Sequence, residues 1–511
     1  MKLSIKIAGV IILFSFFGCK TSRINSSTKD DGKIDITFVQ VNDVYEIAPL
    51  QGGKIGGMAR VATLKKENLR NNPNTYLVMA GDFVSPSVYN SLKYEGKRIR
   101  GRQMIESMNA AGMDLAVFGN HEFDITESEL QDRINESTFD WVSSNTFHKT
   151  KNGISPFVKT VSGKSISFPE TYIMHVKDAD GTSARIGFIG ITLPFNKAEY
   201  VSYTDPLLTA ERLYNQVKDS CDAVIALTHQ SLADDSILAV KLPGLAMIMG
   251  GHEHDMHFIK VGNVNITKAH ANAKSAFVIN MTLNKNKHTV VVKPELKILD
   301  ETVTLDPSTD EVVKKWTTIA FKSYASTGFD AQKVVRERGE PLDGRETEIR
   351  SKPTNLTRII VSAIEKSSPG ADIAIFNSGS IRVDDIIQMP VTQYDIIRTM
   401  PYGGTIMQVD MKGKLLSKIL ETGRLNIGSG GFLQYSASTQ YDKATKAWKI
   451  KNSPIDADKT YRVAITDFLL TGGEANMGFL TKDNPDIVKI YPSDGIDMRI
   501  PVINYMENLG K

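Results

Sequence analysis

The amino-acid sequence predicts an α/β protein with two domains joined by a helix. Short apolar runs alternate with longer amphipathic segments, which is the pattern of strands connected by helices. At 511 residues the chain exceeds the size at which a single hydrophobic core stops growing. After about residue 300 a charged, helix-permissive stretch begins. We therefore predict a first domain over residues 34–300, a linker helix over 301–335 and a second domain over 336–511.

The first residues have the features of a targeting segment. Lys2 and Lys6 precede the run IAGVIILFSFFG, which is too short to span a bilayer comfortably and stops at Cys19. We predict a signal peptide over residues 1–18 and a flexible polar tether over 19–33. The stretch SFFGC resembles the cleavage box of bacterial lipoproteins, in which this cysteine carries lipid. The protein is thus expected in the periplasm or at the cell surface as a lipoprotein, with secretion and release as the alternative.

Charge and cysteine content limit the possible partners. The formal net charge is +3, and the sequence contains no arginine-rich or aromatic-interleaved basic stripe, so a nucleic acid polymer is not expected as a partner. Contact with a membrane is expected only through a lipid on Cys19. The other cysteine is Cys221, so a lipidated Cys19 leaves no disulfide and the fold depends on its core. The sequence leaves the oligomeric state open.

Five apolar runs of the first domain end on residue types that bind metals. Ligands collect beyond the carboxyl ends of strands in open α/β sheets, so ends that are far apart in sequence can converge on one point. A lone histidine after a strand is usually structural, but several in matching positions favour ligands. The runs are DITFVQV before Asn42 and Asp43, TYLVMAG before Asp82, LAVFG before Asn120 and His121, DAVIALT before His229, and LAMIMGG before His252 and His254.

These residue types predict a site for two divalent ions. Carboxylate, amide and imidazole together suit zinc, manganese, cobalt or iron, and the lack of thiolates argues against a structural zinc cage. The donors exceed the needs of one ion, and Asp82 can bridge two ions about 3.5–4 Å apart. Such a pair lowers the pKa of a bound water toward about 7 and contacts both ends of an in-line displacement at phosphorus. The identity of the ions stays open.

The order of these motifs resembles that of a known superfamily. Asp43, the GD at Asp82, GNHEFD, THQ and GGHEHD occur in the order of calcineurin-like metallophosphatases, and the chain as a whole is similar to the bacterial 5'-nucleotidase family within them. The resemblance covers nearly everything after the tether. It implies an N-terminal four-layer β-sandwich flanked by helices, a linker helix and a C-terminal α+β substrate-binding domain.

The resemblance also implies a role for each metal-binding position. One ion would be held by Asp43, Asp82 and His254. The other would be held by Asp82, Asn120, His229 and His252.

The resemblance also assigns the catalytic residues, and the sequence departs from the family pattern at one position. His121 takes the position of the family's catalytic histidine, where it stabilises charge on the phosphate and protonates the leaving group, with Asp124 orienting its ring. The family has Asp-x-His at the first strand end, but the stretch NDVYE has Tyr45 in place of the histidine. Tyr45 can ligate as a phenolate, which a ferric ion favours, or it can pack beside a looser and more exchangeable metal position.

The second domain is expected to bind the phosphate. The stretch ADIAIFNSGSIR is a strand that runs into a turn of small residues, whose backbone N–H groups and Arg382 can hold a phosphate or ribose. The family counterpart is Asn-Gly-Gly-Gly-Ile-Arg, so Asn377 and Arg382 carry over while Ser378 and Ser380 replace glycines. The stretch DGRETEIRSKPTNL resembles the family segment that supplies further arginines, and Arg350 matches best.

The resemblance places two aromatic rings on the base of a nucleotide. These are Tyr402 in MPYGGT and Phe468 in TDFLLTGGEANMGF. Stacking on such rings contributes about 1–3 kcal/mol per base with little demand on base identity. Both could instead be core residues, but the glycine pair after each indicates an exposed loop. Glu474 stands where the family commonly has an aspartate on the ribose hydroxyls.

The expected function is a secreted or lipid-anchored phosphohydrolase that dephosphorylates nucleotides by attack of metal-bound hydroxide on phosphorus. Because the resemblance divides the site between two domains, it implies closure by rotation about a hinge in residues 301–335. A 2',3'-cyclic-nucleotide phosphodiesterase or a nucleotide-sugar hydrolase on the same scaffold stays open. A non-catalytic nucleotide-binding lipoprotein is the alternative from another class, because Tyr45 departs from the metal-ligand pattern.

Overall fold

A computed structural model describes residues 30–195 and 198–509 of the chain. The predicted signal peptide over residues 1–18 and Cys19 lie outside the described residues. No helix in the described part of the chain is long and apolar enough to cross a membrane.

The first domain is built on two six-stranded sheets that face each other. The strands run in the order β19-β18-β1-β2-β5-β6 in one sheet and β11-β12-β14-β15-β17-β16 in the other. The strands are β1 (Lys33–Val41), β2 (Thr75–Ala80), β3 (Lys93–Tyr94), β4 (Lys97–Arg98), β5 (Leu115–Val117), β6 (Asp140–Val142), β7 (Thr146–Thr150), β8 (Gly153–Ser155), β9 (Val158–Val161), β10 (Lys164–Ser167), β11 (Thr171–Lys177), β12 (Ser183–Thr192), β13 (Val201–Tyr203), β14 (Ala223–His229), β15 (Met247–Gly251), β16 (His257–Val261), β17 (Val264–Lys268), β18 (Ser275–Asn284) and β19 (Thr289–Ile298). The helices are α1 (Met58–Asn71), α2 (Arg102–Ala111), α3 (Glu127–Glu136), α4 (Pro206–Val217), α5 (Leu232–Lys241) and α6 (Pro307–Ser326).

Apolar side chains fill the space between the sheets. Phe38 of β1 and Phe188 of β12 meet edge to face with ring centroids 5.7 Å apart. Every residue of β14 is buried, as expected of a parallel strand covered on both faces. Helices α1, α2 and α6 cover the outer face of the first sheet, and α4 and α5 cover that of the second. The predicted four-layer arrangement is confirmed.

The second domain is α+β, as the resemblance implied. Its central sheet has the order β26-β22-β30-β25-β31, with only the β22–β30 pair parallel. The strands are β20 (Val334–Arg336), β21 (Leu342–Asp343), β22 (Ile373–Asn377), β23 (Ile386–Ile387), β24 (Val391–Thr392), β25 (Ile406–Lys412), β26 (Leu433–Tyr435), β27 (Thr439–Asp442), β28 (Ala447–Ile450), β29 (Ser453–Pro454), β30 (Thr460–Thr466) and β31 (Ile487–Ile490). The helices are α7 (Glu346–Ile349), α8 (Asn355–Ser367), α9 (Gln393–Thr399), α10 (Gly413–Leu425) and α11 (Arg499–Leu509).

The connection between the domains contains the helix expected there. Helix α6 begins after Asp306, whose side chain caps it by accepting a hydrogen bond from the backbone N–H of Thr309, and Pro307 follows the cap. The domains also contact each other directly, since the hydroxyl of Tyr394 donates to the carboxylate of Glu46 at 2.5 Å. One continuous apolar core includes residues of both domains. The second domain is therefore packed against the end of the sandwich where the predicted metal ligands lie.

Candidate active site

The carboxyl ends of five strands meet at one end of the sandwich. Strands β1, β2 and β5 of the first sheet lead to Asp43, Asp82 and Asn120, while β14 and β15 of the second sheet lead to His229 and His252. The convergence predicted from the sequence is thus made by the ends of two facing sheets. Single ligand atoms of Asp43, Asp82 and His229 lie within 4.8 Å of one another, and all three residues are buried.

The backbone at this end is held in an unusual conformation. Asp43, Asp82, His252 and His254 have φ values of 53°, 56°, 93° and 59°. Such left-handed conformations are unfavourable for side-chain-bearing residues and cluster where a fold fixes functional groups. At Gly119 a Cβ atom would collide with the carboxylate of Asp82. The loops therefore turn these side chains inward at a cost in backbone strain.

Tyr45 lies among the side chains that were predicted to hold the first ion. Its hydroxyl oxygen is 2.9 Å from Nε2 of His254, 3.2 Å from Oδ2 of Asp82 and 3.4 Å from Oδ1 of Asp43. The hydroxyl donates to a carboxylate oxygen, and Nε2 of His254 donates to the hydroxyl or accepts from it according to the tautomer of the ring. A cation with ligand bonds of about 2.0–2.2 Å brings its ligands to about 3 Å from one another, so this set of oxygen and nitrogen atoms fits a divalent ion.

The side chains predicted to hold the second ion include buried atoms that lack a hydrogen-bond partner. Nδ1 of His229 donates to the carbonyl of Ala80 at 2.8 Å, which turns Nε2 toward Asp82, 3.0 Å from its Oδ2. In residues 30–195 and 198–509, neither Nε2 of His229 nor Oδ1 of Asn120 has a hydrogen-bond partner. Buried polar atoms are otherwise almost always paired, so Oδ1 of Asn120, and Nε2 of His229 in the neutral ring, fit a cation. The ring of His252 lies 5.4 Å from that of His229, centroid to centroid.

Electrostatics give the same result. Burial lowers the pKa of His229, but Asp82 and Asp43 outweigh it and raise that pKa to about 9. Burial also raises the pKa of Tyr45, and the same two carboxylates raise it further, well above its ordinary value. The buried carboxylates thus draw positive charge to this end, and Tyr45 ionises only against a cation.

His121 stands beside this cluster with a charged partner. Its Nδ1 lies 2.7 Å from Oδ2 of Asp124, and its backbone N–H donates to Oδ1 of Asp82 at 2.8 Å. Burial lowers the pKa of His121, but Asp82 and Asp124 raise it above its ordinary value. A protonated, fixed imidazole suits a general acid. The charge of Arg382 acts on this pKa in the opposite direction, so the arginine of the second domain lies near His121.

The two predicted arginines form a positive pair. Arg382 lines a small cavity together with Tyr45. Arg350 pairs with Glu346 at 2.5 Å, and within the described chain its buried Nε has no hydrogen-bond partner. Burial lowers the pKa of Arg350, and the charge of Arg382 lowers it further. Two guanidinium groups close enough to repel each other suit a dianionic phosphate.

The remaining predicted residues lie on loops of the second domain. Asn377 donates to Oε2 of Glu474 at 2.6 Å, so the structure joins these two. Tyr402 is 68% exposed and Phe468 is 45% exposed, as expected of rings on loops and not of core residues. Tyr402 lies near Arg382, whose pKa it raises against the effect of burial.

Two family models match the chain. Residues 36–256 match the calcineurin-like phosphoesterase model, and residues 332–481 match the model of the 5'-nucleotidase C-terminal domain. The chain belongs to the 5'-nucleotidase family. It is therefore a metal-dependent phosphoric ester hydrolase, and the family supports activity on nucleotides. The family implies divalent metal ions, which the donor atoms described above fit.

Individual relatives agree with this assignment. The trifunctional nucleotide phosphoesterase protein YfkN of Bacillus subtilis is 26% identical over 506 residues, which cover 88% of this chain and 33% of that protein. The chain thus spans a third of the length of that relative. The 5'-nucleotidase of Bos taurus is 23% identical over 504 residues, covering 86% and 83% of the two chains. The crystal structure of a 5'-nucleotidase precursor from Thermus thermophilus has the same fold, with a TM-score of 0.68, 22% identity, and coverage of 93% and 97%.

Two buried residues that hold the loops of this site were not predicted from the sequence, and Glu122 is the first. Its buried carboxylate accepts the backbone N–H groups of Asp82 at 3.0 Å, Phe83 at 2.7 Å, Val84 at 3.0 Å and Gly119 at 2.6 Å. It joins the loops after β2 and β5 and so fixes the spacing of their ligands. Its place in GNHEFD, next to His121, was the available signal.

Lys268 is the second buried residue that was not predicted from the sequence. Its ammonium group is buried and donates to the carbonyls of Gln230 at 2.6 Å and Gly251 at 2.8 Å. It also pairs with Asp235 at 2.9 Å and Glu253 at 2.5 Å. Because Gln230 follows His229 and Gly251 precedes His252, one lysine holds both histidine loops. A lysine that ends an apolar strand is the only sequence signal for it.

Proposed function

We propose that this chain removes the phosphate group from 5'-nucleotides with the help of two divalent ions. The first ion is held by Asp43, Asp82, His254 and Tyr45, and the second by Asp82, Asn120, His229 and His252. The observation that supports the proposal is the buried cluster of Asp43, Asp82 and His229 at the strand ends, whose ligand atoms lie within 4.8 Å of one another.

The residues around these ions have complementary roles in the proposed reaction. When bound, the ions supply an activated water nucleophile and positive charge beside the phosphate oxygens. Arg382 and Arg350 bind the phosphate and orient it. His121, held by Asp124, donates its proton to the departing ester oxygen.

The second domain holds the nucleoside in this proposal. Tyr402 and Phe468 stack on the base, and Asn377 and Glu474 contact the ribose. Residues 301–335, which include α6, act as the hinge that brings the two halves of the site together.

Ligation by Tyr45 is a separate part of the proposal. It is supported by the position of the hydroxyl within 3.4 Å of Nε2 of His254 and of carboxylate oxygens of Asp82 and Asp43. We expect the ferric protein to show a visible phenolate-to-iron absorption band that Tyr45→Phe abolishes. A ferric protein without that band would mean that Tyr45 only packs beside the ion.

The test of the proposed activity is phosphate release from AMP by the chain lacking residues 1–19. The protein is stripped of metal and resupplied with manganese, zinc, cobalt or iron. His121→Ala is the test variant. The matched control is His288→Asn, because His288 is exposed in the turn after β18, at the end of the sheet opposite to Asp43.

Turnover is expected to return with metal in the wild type and the control, and to fall at least about a hundredfold in His121→Ala. Equal activity of His121→Ala would contradict the role of that residue. If AMP is inert but a 2',3'-cyclic nucleotide or a nucleotide sugar is hydrolysed, the substrate is wrong. If no substrate turns over with any metal, the whole proposal fails.

We also propose export and a lipid on Cys19, both from residues that lie outside the described part of the chain. The support is the pattern of Lys2, Lys6 and the apolar run that ends at Cys19. Labelled fatty acid is expected in the wild type, which should fractionate with membranes, whereas Cys19→Ser should be unlabelled. An unlabelled wild type outside the cytoplasm would mean secretion without an anchor.

A further inference from the structure

The second domain contributes a carboxylate to a histidine of the metal site. His254 follows β15 of the sandwich, whereas Asp384 follows Arg382 in the second domain. Oδ2 of Asp384 lies 2.6 Å from Nδ1 of His254, and Nε2 of the same ring faces the hydroxyl of Tyr45 at 2.9 Å. The imidazole is therefore held between the two domains, with its second nitrogen directed at the donor cluster.

The second domain alone fixes the position of Asp384. Its other oxygen, Oδ1, accepts the backbone N–H of Glu346 at 2.5 Å. Its φ of 36° is rare for a residue with a side chain and shows that the loop is held in a particular shape. The carboxylate is thus presented as a preformed acceptor on the surface that meets the sandwich.

The neighbouring residue, Asp385, offers a natural comparison. It also crosses the domain boundary, where its Oδ1 pairs with Nζ of Lys274 at 2.8 Å. It carries the same charge on the same loop, but its partner is not among the donors of the metal site. Asp384 and Asp385 therefore differ in what they touch and not in their contribution to the charge of the interface.

We infer that Asp384 is a positioning residue that orients His254 for its metal ion only when the two domains are docked. The inference rests on the proposed role of His254 as a ligand. A carboxylate that accepts from Nδ1–H fixes the ring and leaves the lone pair on Nε2, and the loss of such partners typically weakens metal binding by about 10–100-fold.

In this arrangement, metal binding and docking of the second domain are thermodynamically linked. If docking of the second domain strengthens one ion, then that ion favours docking by the same factor, because coupling between binding equilibria is reciprocal. The occupancy of the first metal position thereby becomes part of domain closure. The second ion, held by ligands that Asp384 does not touch, is not coupled in this way.

The test is calorimetric titration of the full metal-free chain with manganese, which gives the affinity for each ion. The variants are Asp384→Ala, Asp384→Asn, Asp385→Ala, His254→Ala and the double variant Asp384→Ala with His254→Ala. Asp384→Ala is expected to weaken one ion by about 10–100-fold and leave the other unchanged, while Asp385→Ala changes neither. Asp384→Asn, which keeps an acceptor oxygen, should lie between. The double variant should bind as weakly as His254→Ala and no weaker.

Equal affinities in Asp384→Ala and Asp385→Ala would overturn the inference, and two tightly bound ions in the wild type would then leave the proposed function standing. If His254→Ala weakens neither ion, the proposed ligand set itself is wrong and the inference fails with it. Thermal unfolding of each metal-free variant separates a loss of fold from a loss of affinity. Should Asp384→Ala not fold, Asp384→Asn decides alone: a weaker affinity for one ion than in Asp385→Ala is expected, and wild-type affinity for both ions would overturn the inference.

Discussion

The two halves of this site differ in how their buried polar side chains are grouped. At the strand ends of the sandwich, Asp43, Asp82 and His229 are buried together, and Oδ1 of Asn120 has no hydrogen-bond partner within residues 30–195 and 198–509. In the pocket of the second domain several polar side chains are paired with one another, such as Asn377 with Glu474 and Arg350 with Glu346. The proposed function gives the first half two cations and the second half a nucleoside that replaces these side-chain contacts. Substitutions in the first half should therefore reduce the activity more than substitutions in the second.

The largest effect is expected from Asp82→Ala. This change removes the carboxylate shared by both proposed ions, so both should be lost. Turnover should fall on the order of a thousandfold or more, because such ions supply several kcal/mol of transition-state stabilisation. Bound metal per chain and phosphate release are the measurements, with Asp132→Ala on the exposed face of α3 as control. Two retained ions in Asp82→Ala would refute the bridging role.

Arg382→Ala should have a smaller effect that leaves the metals in place. A charged hydrogen bond to the phosphate contributes about 1.5–3 kcal/mol, so kcat/KM for AMP should fall about 10- to 150-fold. Arg382→Lys should recover only part of this, because lysine lacks the planar two-pronged geometry. Arg358→Ala, exposed on α8 of the same domain, is the control. Unchanged kcat/KM in Arg382→Ala would remove this residue from the phosphate site.

The aromatic rings should matter less, and only for substrates with a base. Tyr402→Ala and Phe468→Ala should each raise KM for AMP about tenfold, given about 1–3 kcal/mol for each stacked base. Tyr402→Phe should behave as wild type. Kinetics with glycerol phosphate provide the comparison, since it has no base. An equal loss with both substrates would show that these rings support the loops and do not bind the nucleoside.

The sequence indicated which residues meet at the strand ends of the sandwich better than it indicated the contacts around them. Strand ends with ligand residue types are local signals, so Asp43, Asp82 and His229 could be found by inspection. Their distribution over two sheets could not, because strand pairing joins distant segments. The partner of His254 was also hidden, since Asp384 lies on another domain and nothing local marks it. The helix of the linker was predictable from its charged composition, and Asp306 with Pro307 is an ordinary helix start.

Asp306→Ala should have the smallest effect and none on catalysis. The change removes the cap of α6 and the ion pair with Lys66, at a cost of about 1 kcal/mol of stability. Burial raises the pKa of Asp306, but Lys66 and the cap outweigh it and hold that pKa below its ordinary value. The stabilisation is therefore present at neutral pH and is lost as the pH falls below about 4.

Thermal unfolding of wild type, Asp306→Ala and Asp306→Asn between pH 7 and pH 2 measures this contribution. The asparagine variant keeps the cap and should lose less stability. A difference that grows toward acid would contradict the sign. Changed turnover per folded molecule would show that α6 does more than connect the domains.

The most direct test of the account is a stepwise metal titration. The metal-free chain receives manganese in increments while bound ions per chain and phosphate release from AMP are measured in the same samples. The account predicts two bound ions per chain and activity that rises with occupancy of the second. Full activity with one ion, or no tight binding of either ion, would contradict the two-metal site on which the account depends.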